Sequence, residues 1–334
     1  MYDTTTALQY ARIAQAMKKQ NDENTRQHKS PAPPAPPAPP APFAWHHIRG
    51  ATPADWEVTA YSVEDRIGRL EFNTRDGLQA VASWEPCKRE PDRRTTMATF
   101  IANNIIGKKN SAGLSAADLK TAECGSFLLG WLDETKPTQA MAYDASTGHL
   151  IRWVFEGHST PAARENTIYP LLRSCDFNTD ADACEYNLHG IRCRLPWDYK
   201  IEGIVVLPAN VMMSFESEDT KRCAVLRRWG MADMIFTQGD LAEFYKPILR
   251  TRSAYVNATR RCRVSGFDGR FMEFDAPREY HDDRFMRRRW KNGKAVIWHD
   301  TTANRIYTFE QIGPPDTPEL DFSAVIPGLN FEHL

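Results

Sequence analysis

The spacing of apolar residues changes character along the 334-residue chain. Over residues 1–29 it is helical: Ala7, Tyr10, Ala11, Ala14 and Met17 recur at helical intervals, and Leu8 and Ile13 widen the same face. Asp3 or Thr4 is placed to cap such a helix, and Lys18, Lys19 and a Gln/Asn/Asp-rich stretch end it. A helix of about four turns is marginal alone in water. The segment is therefore expected either to be an unstructured tail or to lay Leu8, Tyr10, Ile13, Ala14 and Met17 into a partner's groove.

Residues 30–44 erase the pattern with repeated Pro-Ala-Pro-Pro. Proline fixes φ and removes the backbone donor, so neither sheet nor helix interior accepts this run. It predicts a polyproline II spacer with a rise of ~3.1 Å per residue and a span of ~40 Å. Three roles stay open for it: holding two binding surfaces apart on one chain, serving as a passive spacer, or acting as a ligand for a proline-binding module.

From residue 45 onward the apolar residues alternate with a period of two, broken by Gly, Asn and Asp turns, which predicts strands. The pattern occurs twice. Pro53-Ala-Asp-Trp56-Glu-Val matches Pro196-Trp197-Asp-Tyr199-Lys-Ile, and Leu70-Glu-Phe72 matches Met213-Ser-Phe215, each Phe nineteen residues after its proline. Leu78-Gln-Ala-Val-Ala-Ser-Trp84 is set against Cys223-Ala-Val-Leu-Arg-Arg-Trp229. The strand pairs ending at Phe155 and Phe309 are then matched across the loops Ala-Ser-Thr-Gly148 and Thr-Thr-Ala-Asn304. The body reads as a duplication, with repeat units at 45–178 and 186–334. Helices are expected at Thr95–Asn104 and Gln238–Thr251, with shorter ones at Pro161–Arg173 and Asp321–Ile326. The expected fold class is α+β: two tandem repeats of an antiparallel β-sheet covered by helices, preceded by the N-terminal helix and the polyproline linker.

This order of elements resembles the fold family that includes the photosystem extrinsic protein PsbP, a Ran-binding nuclear import factor and the bacterial DcrB-like proteins. The residues that carry the resemblance are the early Pro-Trp pattern, Trp84 and Trp229 at a strand end, the helix that follows, the Ser265-Gly-Phe-Asp-Gly269 turn and the closing aromatic hairpin. The resemblance implies a binding or accessory role and brings no catalytic residues with it.

Composition adds constraints. A net charge of −1 gives no global drive toward nucleic acid or anionic membrane, and no stretch approaches ~20 consecutive apolar residues. Residues 1–19 lack the apolar core of a secretory signal. The seven cysteines are scattered and read as reduced thiols of a cytoplasmic protein, with a Cys175–Cys184 or Cys184–Cys193 bridge left open; a virus particle also remains open. No nucleophile elbow, His-Glu-x-x-His or dinucleotide fingerprint is present, and no cofactor is expected.

Four clusters of polar or charged residues stand out. Asp176, Asn178, Asp180 and Asp182 alternate as calcium ligands do, but Ala181 replaces the required glycine and Asn187 the bidentate glutamate, so a polar connector is expected. His46-His47 and His281-Asp282-Asp283 read as solvated surface groups. Arg287, Arg289 and Trp290 mix cations with an aromatic; in a strand Arg287 and Arg289 share a face. Glu279, Asp282 and Asp283 offset that field, which favours an ion-paired edge or a protein contact over nucleic acid. The aromatics Trp56, Trp84, Trp153, Trp229, Trp298 and Tyr307 recur in both halves and read as core, leaving Trp131, Trp197 and Trp290 as interface candidates. The expected function is a non-catalytic protein-binding adaptor or structural subunit of a larger assembly. The alternatives are a chaperone with an apolar groove, or an enzyme with dispersed residues.

Overall fold

The computed structural model describes residues 39–64, 67–103, 115–177, 180, 182–207, 209–236, 239–250, 254–276 and 291–331. The described residues fall into two compact units, one within Pro36–His189 and one within Gly190–Leu334.

The unit Pro36–His189 begins with a hairpin, β1 (Ala41–Trp45) and β2 (Ile48–Thr52), turned by His46 and His47. A meander follows: β3 (Glu57–Glu64), β4 (Ile67–Thr74) and β5 (Gly77–Pro86). Helix α1 (Arg93–Ile101) leads into β6 (Lys120–Cys124), β7 (Phe127–Trp131), β8 (Thr138–Asp144) and β9 (His149–Phe155). Two short helices, α2 (Pro161–Ala163) and α3 (Tyr169–Ser174), are joined by a π-helical turn and precede β10 (Asp176–Phe177) and β11 (Ala183–Leu188). The main sheet is antiparallel in the order β3-β4-β5-β9-β8-β7-β6.

The unit Gly190–Leu334 repeats this plan. It contains β12 (Ile191–Pro196), β13 (Tyr199–Leu207), β14 (Asn210–Ser217), β15 (Cys223–Gly230), α4 (Ala232–Ile235) and α5 (Leu241–Arg250). Then come β16 (Tyr255–Val264), β17 (Phe267–Ala276), β18 (Lys291–Asp300), β19 (Arg305–Gly313), α6 (Phe322–Val325) and β20 (Leu329–Phe331). Its sheet runs β13-β14-β15-β19-β18-β17-β16-β20, the same seven-strand order with one short strand added.

The agreement extends to register. Phe72 faces Ala80 and Leu70 faces Ala82; Phe215 faces Ala224 and Met213 faces Leu226. Both edge strands carry a bulge opposite the equivalent phenylalanine, at Thr59 in one unit and Glu202 in the other. An irregularity kept at the same rung of two ladders belongs to the fold plan, since a bulge re-aims everything beyond it.

Each sheet buries both faces. In Pro36–His189, Phe43 of β1 packs edge-on against Phe72 (5.3 Å) and Trp153 (6.0 Å), and Trp153 stacks on Phe72 and Phe155. On the opposite face Met97, Ala98 and Ile101 of α1 meet Leu128, Met141 and Leu150. In Gly190–Leu334, α5 presses Leu241, Tyr245 and Leu249 onto Met272, Phe274, Ala295, Ile297 and Ile306. Its other face closes around Phe322, which meets Phe309 at 4.8 Å and Phe271 at 5.7 Å.

This corrects the expected α+β class. Among the described residues the protein is mostly β, 54% strand against 18% helix, with three large antiparallel sheets. The physical reason is reach. A helix of nine or ten residues is about 15 Å long, whereas seven strands extend about 30 Å across, so α1 and α5 cover a patch and not a layer. Two residue matches are corrected as well. By register Trp84 corresponds to Arg228, because Gly68 faces Trp84 while Val211 faces Arg228. Trp229 points to the α5 side of its sheet. The closing hairpins pair Asp144 with His149 and Asp300 with Arg305, which aligns Trp153 with Phe309 and displaces the Phe155–Phe309 match by two residues.

Candidate interaction surface

The two equivalent edge strands, β3 and β13, differ in how they are guarded. Over Glu57–Ser62 of β3 the exposed residues are Glu57, Thr59 and Ser62, while Tyr61 turns inward onto Trp45 (5.4 Å). Asn73 donates to the bulged Thr59 hydroxyl. This is the ordinary alternation of a half-solvated strand.

Strand β13 departs from it. Beyond the bulge it reads Gly203-Ile-Val-Val-Leu207, with no charge after Glu202. Ile204 and Val206 lie across from Met213 and Val211, on the face those residues bury. Val205 and Leu207 lie across from Met212 and Asn210, on the opposite face. The strand end is thus apolar on both sides, as strands in the middle of a sheet are. Yet β13 is the outermost described strand of its sheet, and Val205 and Val206 are 37% and 54% exposed. Natural edge strands usually carry charges, prolines or inward turns against pairing with another chain. None of these stands within Gly203–Leu207.

The residues singled out from sequence fall elsewhere. Leu8, Tyr10, Ile13, Ala14, Met17, Arg287, Arg289 and Trp290 lie outside the described residues, as does Asn178. Asp176 accepts from Arg49 Nη2 at 2.7 Å and from the Phe177 amide, contacts that hold its carboxyl below the usual range. Asp180 accepts from the amides of Asp182 and Ala183, and Asp182 is exposed. Among the described residues no group of three or more His, Cys, Asp or Glu is arranged to hold a metal ion. Trp131 carries the Arg164 guanidinium 4.4 Å over its ring. All seven cysteines are free thiols.

His46 and His47 overturn their reading as solvated surface groups. His46 is buried and stacks on Trp84 (5.9 Å), and the His47 ring lies flat on His149 at 3.8 Å. Adjacent histidines in a two-residue turn give no sequence signal of what lies beneath, so this was not legible beforehand. The β13 edge was legible in principle as the uncharged run Ile204–Leu207, but only the sheet order shows it to be outermost. Among the described residues no helix is long and apolar enough to cross a membrane. No family model matches this chain, and no curated protein matches it.

Proposed function

We propose that this chain is a non-catalytic binding subunit that accepts an extended segment of a protein partner alongside β13. The observation that carries the reading is the uncharged apolar end of that strand, exposed at Val205 and Val206; by register Val205 stands where β3 carries Ser62, and Leu207 where β3 carries Glu64. An added strand would gain main-chain hydrogen bonds for affinity and apolar pockets on both faces for specificity. The N-terminal segment, with its helical apolar pattern and proline spacer, would supply a second attachment point on the same chain. This role agrees with the accessory functions implied by the PsbP-like resemblance. Seven free thiols favour a reducing compartment such as the cytoplasm.

The test compares affinity capture from the native source by wild type, by Val206→Lys and by a chain lacking residues 1–44. A stoichiometric partner that Val206→Lys loses at unchanged melting temperature supports the reading. Equal recovery by Val206→Lys and wild type overturns it.

A further inference from the structure

We propose that the unit Gly190–Leu334 carries a cleft for a small planar aromatic acid, beside the position at which the unit Pro36–His189 packs its own imidazole rings. Register identifies the two places as equivalent. Trp84 faces Ile151 where Arg228 faces Tyr307, and His149 and Arg305 each open the last strand of their hairpin. Ile48 and Ile191 each stand five residues before the matched prolines Pro53 and Pro196. His47 therefore corresponds to Gly190.

In Pro36–His189 the position is occupied. The His47 ring is parallel to His149 within 23°, and His46 lies on Trp84 within 28°. In Gly190–Leu334 the ring at the turn is absent and the partners have changed. Gly190 has φ +74, and a Cβ there would lie 2.6 Å from Arg305 Nη1 and 3.3 Å from Arg228 Nη1. Those guanidinium groups take the space above Gly190, and beside them lies a cleft of about 230 Å³, walled by Gly190, Leu226, Trp298, Tyr307, Ile326 and Pro327. Trp298 and Tyr307 stack on one another at 5.2 Å and 13°, and this aromatic pair borders the cleft.

The charges around it are mostly positive. Arg192 and Arg227 line the cleft, and Arg305 stands at the Gly190 side. Arg227 is turned toward the buried Glu310 (3.8 Å), whereas Arg305 makes no ion pair among the described residues. Asp300 is the acidic lining residue, and its Oδ1 accepts from the Ala303 amide within its own turn. An aromatic wall takes the face of a planar ring. A guanidinium at the mouth takes a carboxylate in two parallel hydrogen bonds. The volume is below the ~300 Å³ lower bound of drug-sized sites, which limits the guest to one or two fused rings.

The test uses the full chain with 2-naphthoate as probe and 2-naphthylmethanol as its uncharged counterpart, titrated by ligand-observed NMR. The expected result is saturable binding of naphthoate at least fivefold tighter than the alcohol. Arg305→Gln should reduce the acid to the alcohol's affinity, and Trp298→Leu should weaken both at least fivefold. Tyr307→Leu replaces Trp298→Leu if the latter lowers the melting temperature. Absence of saturable binding by either probe overturns the proposal. So do equal affinities for acid and alcohol, or affinities indifferent to both substitutions.

Discussion

Asp144 closes the β8–β9 hairpin through its side chain. Burial alone would raise its carboxyl, but hydrogen bonds from Thr147 Oγ1 (2.5 Å), Ser146 Oγ (2.7 Å) and the Ser146 amide (3.0 Å) outweigh that and hold it below the ordinary range. Asp300 does the same work in the duplicate with the Ala303 amide. Replacing Asp144, itself only 6% exposed, by Ala removes three hydrogen bonds to a charged group and should cost about 1–3 kcal/mol in denaturant unfolding; an unchanged midpoint would refute the assignment. His158 offers a pH test. Burial holds its imidazole below the ordinary value of 6.5, against the opposing pull of Asp55. The unfolded chain therefore binds this proton first as pH falls, so the stabilising contribution is complete above about pH 6.5 and is lost below it. The melting temperature should fall from pH 7 to pH 5, and His158→Gln should flatten part of that slope. An identical slope in the variant would show that other groups carry it. At this scale the sequence was a fair guide to Gly148 and Asn304 as turn residues, and both adopt positive φ. It misled at Trp84 and Trp229, where equal identity concealed opposite faces.

Elements were more legible than their coverage. The apolar spacing of Leu241, Tyr245, Ile248 and Leu249 located α5, and the Asp92 cap and the buried Met97 and Ile101 account for α1. Alternation located the strands, because a strand with one polar face must read with period two. What periodicity does not encode is which strand ends at an edge, or where a one-residue bulge reverses the inward face. Close packing between neighbouring strands was also invisible. Gly68 of β4 lies under the Trp84 indole, and a Cβ there would come within 1.9 Å of Trp84 Cζ2. Gly68→Ala should destabilise the protein by about 1–3 kcal/mol through overpacking, measured by chemical denaturation. A neutral effect would mean that Trp84 can move aside, which its burial under His46 argues against.

On the scale of the whole chain, duplication was readable because the matched prolines and phenylalanines kept their spacing through β4 and β14. The α+β expectation failed because short helical signals were read as layers, and helix length sets the area a helix covers. The shared plan makes a paired prediction. Trp153 and Phe309 occupy equivalent rungs, facing Ala82 and Leu226, and both are fully buried. Trp153→Ala and Phe309→Ala should each cost about 3–5 kcal/mol. A loss below about 1 kcal/mol at either position, against that expectation for buried aromatics, would remove it from its unit's core.

The exposed end of β13 has one more consequence, and it concerns supply. A strand that accepts another protein's backbone accepts its own kind when that protein is scarce, because main-chain pairing does not read sequence. Synthesis of this chain would then have to keep step with synthesis of whatever covers Val205 and Val206. Surplus copies should appear as turbidity that rises with concentration and clears when the partner strand is added.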